Sequence, residues 1–176
     1  SKSGGGSKSG VGSKSGGGRR GRPRPGSATE LDDGQKTAED TILDLEALEE
    51  LHKEAERMKG LGNRHMAAQE YTRAYNVYSA AIELSPYGPT SHVYYANRAA
   101  ALLSLKRYAA AESDARAAIE LRPSYGKAHA RLGQALYFLK DYENAVAAYQ
   151  EAVAHDPDNA VTWTYLAKAR AKLERR

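Results

Sequence analysis

Five polar side chains stand where helices could bring them together. Lys59 and Asn63 are four residues apart, as are Lys127 and Arg131, and that spacing puts the members of each pair on one face of a helix. Asn97 lies between the pairs, on what the repeat described below makes an equivalent helix. Lysine offers a mobile point charge, arginine a planar fork of donors, and asparagine a donor that adds no charge. No acid occupies these positions, so the set is expected to lack a counter-charge of its own. A ligand carrying carboxylates would supply it. Each charge-assisted hydrogen bond contributes roughly 1.5–3 kcal/mol, and several together reach about 7–8 kcal/mol once immobilisation of a peptide is deducted, which is micromolar binding.

The elements that position these residues show in a repeat. Pro86, Pro123 and Pro157 stand 37 and 34 residues apart, and each closes a stretch with the same internal pattern. Counting back from them, Ala81, Ala118 and Ala152 recur, then Ala74, Ala111 and Ala145, then Tyr71, Tyr108 and Tyr142. Further back stand Gly62, Ala99 and Gly133, always a residue with little or no side chain. Each unit is expected to be two helices. Met58, Leu61, Gly62 and His65 would meet Ala74, Tyr78 and Ala81, the small residue allowing close backbone approach. The tyrosine opens the second helix and the proline stops it. Units of this length stack into a solenoid, whose function belongs to a groove surface rather than to a buried catalytic pocket. The extra residues in the longer spacing fall near Tyr87-Gly88-Pro89, a turn-rich insertion.

The pattern resembles the tetratricopeptide repeat, on Leu61-Gly62, Ala74, Tyr78, Ala81 and Pro86 in the first unit and Leu132-Gly133, Ala145, Tyr149, Ala152 and Pro157 in the third. The middle unit departs from it, with Arg98-Ala99 for Leu-Gly and Ala115 at the aromatic position. The resemblance implies an all-α fold: a right-handed superhelix of three helix pairs plus a C-terminal capping helix, preceded by a disordered basic tail. It also implies that the first helix of each pair lines the concave face. The five polar residues are similar to the two-carboxylate clamp of chaperone-binding tetratricopeptide domains. By that likeness Lys59, Asn63 and Asn97 would hold a peptide's terminal carboxylate, and Lys127 and Arg131 the side-chain carboxylates of the last Asp and its neighbours. The implied partner is the acidic Glu-Glu-Val-Asp tail of cytosolic Hsp70 or Hsp90. The segments AERMKGLGN, YYANRAAA, SYGKAHARLG and DPDNA resemble the small glutamine-rich tetratricopeptide co-chaperones. Two other readings stay open: a scaffold that binds an internal peptide of another complex, and a tether working through the basic tail on nucleic acid or a membrane.

Composition separates the chain into parts. Residues 1–26 carry three Lys and four Arg with no acid, whereas the whole chain is only +4, so the repeats are mildly acidic. A solenoid that itself grips nucleic acid therefore loses its support. The expected organisation is a disordered Gly/Ser/Lys/Arg-rich tail over 1–36, a lead-in helix over 37–54 carrying Ile42, Leu45, Leu48 and Leu51, and a three-repeat domain over 55–176. Thr37 to Asp40 reads as the lead-in helix's start. After Pro157, Asp158-Asn159 would cap a final helix whose Trp163 and Leu166 are expected in the core. The chain has no cysteine, so thiolate chemistry is out, and its five histidines show neither metal-ligand nor triad spacing. No enzyme activity, cofactor, metal or small-molecule substrate is expected. No run approaches the roughly 20 apolar residues of a membrane span, and a cytoplasmic location follows from the resemblance.

Overall fold

The computed structural model describes residues 37–175. The tail expected over 1–36 lies outside the described residues. Seven helices follow one another among those described: α1 (Ala38–Ala67), α2 (Tyr71–Leu84), α3 (Ser91–Ser104), α4 (Tyr108–Leu121), α5 (Gly126–Phe138), α6 (Tyr142–His155) and α7 (Ala160–Glu174). Each packs on the next, and α1, α3, α5 and α7 also touch one another in series, whereas α2, α4 and α6 do not. Contact along one row and separation along the other curve the stack, with the odd-numbered helices on the inner side.

Repeat chemistry explains the pairing. Tyr71, Tyr108 and Tyr142 are the first residues of α2, α4 and α6. The alanines at 74, 81, 111, 118, 145 and 152 are all buried. In the outer units an aromatic ring closes over a glycine: a Cβ on Gly133 would meet the Tyr149 ring at 2.8 Å, and one on Gly62 would press still closer against the edge of the Tyr78 ring. The middle unit solves the same space differently. Ala99 and Ala115 replace the Gly–Tyr pair, both buried. Arg98 reaches from α3 to Asp114 on α4 through two hydrogen bonds of 2.7 Å, donates to Ser79 Oγ at 3.1 Å, and lies over the rings of Tyr75 and Tyr95.

The turns inside the units share one backbone motif without glycine. Gln69, Lys106 and Lys140 adopt φ of 60°, 59° and 67°. The amides around each cap the preceding helix: Lys106 N–H donates to Leu103 O at 3.0 Å and Arg107 N–H to Leu102 O at 2.8 Å, with equivalent bonds at the other two turns. Between the units the chain crosses by Ser85–Thr90, Arg122–Tyr125 and Asp156–Asn159, so the longer crossing is the one that holds Tyr87-Gly88-Pro89.

Two expectations need revision. The lead-in segment is no separate helix, because α1 runs unbroken through residues 54 and 55. It begins at Thr37 with a reciprocal cap, Asp40 N–H donating to Thr37 Oγ1 at 3.1 Å and Thr37 N–H to Asp40 Oδ2 at 3.0 Å. No proline stands between Asp40 and Ala67, and the two glycines, at 60 and 62, fall well past the expected boundary, so nothing stops the helix at 54. The second correction concerns Trp163, which is 48% exposed rather than in the core. The face of α7 that meets the third unit is Thr162, Leu166 and Ala169, spaced four and three apart, and Trp163 falls one residue off it. Its indole Nε1–H instead donates to Pro157 O at 2.8 Å, pinning the turn before α7. Asn159 caps α7 as expected, its Oδ1 accepting from Thr162 N–H at 3.2 Å.

Candidate functional site

All five polar residues sit on the inner row, Lys59 and Asn63 on α1, Asn97 on α3, Lys127 and Arg131 on α5. Asn97, Lys127 and Arg131 line one cavity of about 470 Å³, with Gln134 beside them, Asn159 from the crossing before α7 and Tyr165 from α7 itself. Asn63 joins Asn97 directly, since Asn97 Nδ2–H donates to Asn63 Oδ1 at 3.2 Å. The same Oδ1 accepts from Tyr78 OH at 2.7 Å. With its oxygen engaged twice, Asn63 presents its NH2 group as the donor for a ligand. Lys59 does not line that cavity.

The expectation that the set lacks a counter-charge is corrected at Lys59. Its Nζ donates to Glu56 Oε2, one helical turn earlier, where three-residue spacing places the two side chains side by side. Glu56 also accepts from Thr90 Oγ1 at 2.6 Å and Tyr94 OH at 2.7 Å. Burial pushes the Glu56 carboxyl up, but the hydrogen bonds from Lys59, Thr90 and Tyr94 outweigh it and hold the group down at about 2. Glu56 therefore stays ionised and fixes the Lys59 ammonium in place.

Arg131 is the opposite case. Among the described residues no carboxylate lies within ion-pair distance, and the contact its guanidinium makes is a 3.4 Å bond from Nη1 to Gln134 Oε1. Burial pulls its pKa down, which neighbouring Tyr125, Tyr149 and Tyr165 oppose. Arg131 is half-buried, so water compensates its charge only in part, and a carboxylate entering the cavity would supply the partner. Lys127, exposed at the rim, adds a second positive charge. Beside them Tyr149 OH is buried with no hydrogen-bond partner. Its counterpart Tyr78 is bonded to Asn63, but the third unit carries Gln134 at the corresponding place and that bond is absent. Gln134, Tyr149 and the α7 residues were missed in the sequence. Gln134 was within reach, because it occupies in the third unit the repeat position of Asn63.

Comparison with known proteins bears on this groove. Models of the tetratricopeptide repeat match residues 92–125 and 126–159. The first TPR of Spaghetti (RPAP3), solved bound to the HSP90 peptide SRMEEVD, superposes with a TM-score of 0.66 at 32% identity, over 70% of this chain and 95% of that one. The chain belongs to the tetratricopeptide-repeat family. A second such domain, the second TPR of human RPAP3 in complex with the HSP70 peptide SGPTIEEVD, matches with a TM-score of 0.63 at 32% identity, over 68% of this chain and 98% of that one. Among curated proteins, small glutamine-rich tetratricopeptide repeat-containing protein 2 of Mycosarcoma maydis is 42% identical over 119 residues, 68% of this chain. The chain spans 33% of the length of that relative. The tetratricopeptide superhelix, with α7 as its cap, is thus the frame that brings the inner-row side chains together. Among the described residues no cluster of three His, Asp or Glu side chains is placed to hold a metal ion, and no helix is long and apolar enough to cross a membrane.

Proposed function

We propose that this tetratricopeptide domain is a co-chaperone adaptor that receives the acidic C-terminal tail of Hsp70- or Hsp90-type chaperones, in the cytoplasm and without catalytic chemistry of its own. The observation that carries the reading is Arg131, a half-buried guanidinium with no anion, in a cavity shared with Lys127 and Asn97. Solved relatives hold peptides ending in EEVD, whose carboxylates would supply the missing charge. In this reading Lys127 and Arg131 take side-chain carboxylates, while Lys59, Asn63 and Asn97 take the chain terminus. Glu56 holds Lys59 oriented but competes for its charge, so Lys59 contributes less than Arg131.

Calorimetric titration with a peptide ending in Glu-Glu-Val-Asp tests this. Binding is expected at low- to sub-hundred-micromolar affinity and weakens as salt rises. Arg131→Ala or Lys127→Ala is expected to lower affinity roughly 10- to 150-fold, the equivalent of about 1.5–3 kcal/mol. Lys59→Ala lowers it less, and the asparagine variants least, with little change in melting temperature. A peptide amidated at its terminus that binds as well as the free acid removes the clamp and leaves a scaffold for internal peptides.

A further inference from the structure

The first half of α1 projects beyond the helix it packs on. At 1.5 Å per residue, its 30 residues extend about 45 Å, against about 21 Å for the 14 of α2. Ala55 is the first buried residue of α1, and every residue from 37 to 51 is exposed. Yet this overhang is not a polar helix. Leu48 and Leu51 stand seven and four residues before Ala55, so they continue the stripe that α1 buries against α2, past the point where α2 ends. Leu45 and Leu48 are 56% and 60% exposed. With His52 they form one wall of a groove of about 660 Å³, whose other wall is Leu84 at the end of α2 with Pro86 and Tyr87 from the crossing before α3. An apolar groove left open to water marks an interaction surface.

Charge selects what would fill it. Glu49 and Lys53 line the groove itself, but the helix around it is acidic: between Ala38 and Glu54 it carries seven acids and a single lysine, Lys53, whose ammonium lies 2.6 Å from Glu50. A second copy would press one strongly acidic helix against another, and an anionic membrane would be repelled in the same way. A helix with an apolar stripe edged by lysine and arginine satisfies both the groove and its rim. We propose that the α1 overhang and the Ser85–Pro89 segment form a second docking surface, for a basic amphipathic helix of a partner protein. No residue lines both this groove and the cavity of Arg131. The two surfaces thus select ligands of opposite charge.

The probe is a labelled peptide of about four helical turns, with leucines on one face and lysines on the other, titrated into the full chain by fluorescence anisotropy. A scrambled peptide of identical composition is the control. The probe should bind in the tens of micromolar and the scrambled peptide at least about 10-fold more weakly, with salt weakening the interaction. Leu45→Ser/Leu48→Ser should weaken it about 10-fold or more. Because both positions are exposed, that variant should keep its helical circular dichroism and bind the Glu-Glu-Val-Asp peptide as before, so failure here is distinguishable from failure of the clamp. Equal binding by the scrambled peptide, or undiminished binding by the variant, overturns the proposal. So does a dimer of the parent chain that the double substitution dissociates, which would make a second copy the occupant. Vesicle binding lost in the variant would likewise assign the groove to a membrane.

Discussion

The outer repeats and the middle repeat hold their helix pairs together by different chemistry in the same space. In the third, Leu132 and Gly133 on α5 face Ala148 and Tyr149 on α6, so a large ring seals over a missing side chain. In the second, Arg98 and Ala99 face Asp114 and Ala115, and the volume of the ring is replaced by a guanidinium stacked near two tyrosines and gripped by a carboxylate. Dispersion and apolar burial tolerate small errors of position. A buried ion pair does not, since either partner alone is an uncompensated charge. The middle unit thus trades tolerance for directionality.

The largest expected effect breaks that pair. Arg98→Ala strands Asp114, which is 7% exposed, and should cost about 3–5 kcal/mol by chemical denaturation. Arg98→Leu/Asp114→Ala installs the third unit's residues at both places and should recover most of that loss. If the double variant is as weak as the single one, the pair is not what holds α3 to α4.

Next in size is the glycine under the ring. Gly to Ala inside a helix ordinarily stabilises by roughly 0.5–1 kcal/mol. At Gly133 the added Cβ would meet the Tyr149 ring at 2.8 Å, so Gly133→Ala should instead destabilise by about 1–3 kcal/mol. Ala99→Gly, where no ring is waiting, should cost only about 1 kcal/mol. A Gly133→Ala variant as stable as the parent would show that the ring can move aside and that the two repeats differ less than their packing implies.

A smaller effect concerns the turns, which the repeats share despite their different cores. Lys106 has a φ of 59°, a conformation easier for glycine, and Lys106→Gly should raise stability by up to about 1 kcal/mol. A pH-dependent effect concerns the half-buried counterpart of the Arg98 pair, Glu56 with Lys59. Folding lowers the Glu56 pKa from 4.5 to about 2, so its contribution is fully present above about pH 4.5 and is lost as pH falls toward 2. The melting-temperature gap between the parent and Glu56→Gln should therefore be constant near neutrality and close below pH 4.5. A gap independent of pH down to 2 would mean that the carboxylate's charge contributes nothing.

The repeat, the helix pairs and the inner-row positions of Lys59, Asn63, Asn97, Lys127 and Arg131 were legible in the sequence, because each depends on spacing. Helical periodicity and a short repeat convert residue number into face and layer with little reference to the rest of the chain. The continuity of α1 was less legible, since Thr37 announces its start but no residue announces a boundary at 54. Trp163 shows the same limit. Its size argued for burial, whereas a shift of one residue around α7 decided otherwise. The Glu56–Lys59 pair, three residues apart on α1, was within reach of a count along the chain, whereas pairing between helices depends on distances that no such count supplies. Glu56 is tied to Thr90 and Tyr94 across the first crossing, so Lys59 meets a ligand already partnered. Arg98 finds Asp114 while Arg131 finds no acid, although both are arginines on inner-row helices. Sequence spacing determined which of these residues the inner-row helices carry. Only the packed helices decided which of those charges were left unneutralised, because a Coulomb partner counts by its distance in space and by the water it excludes.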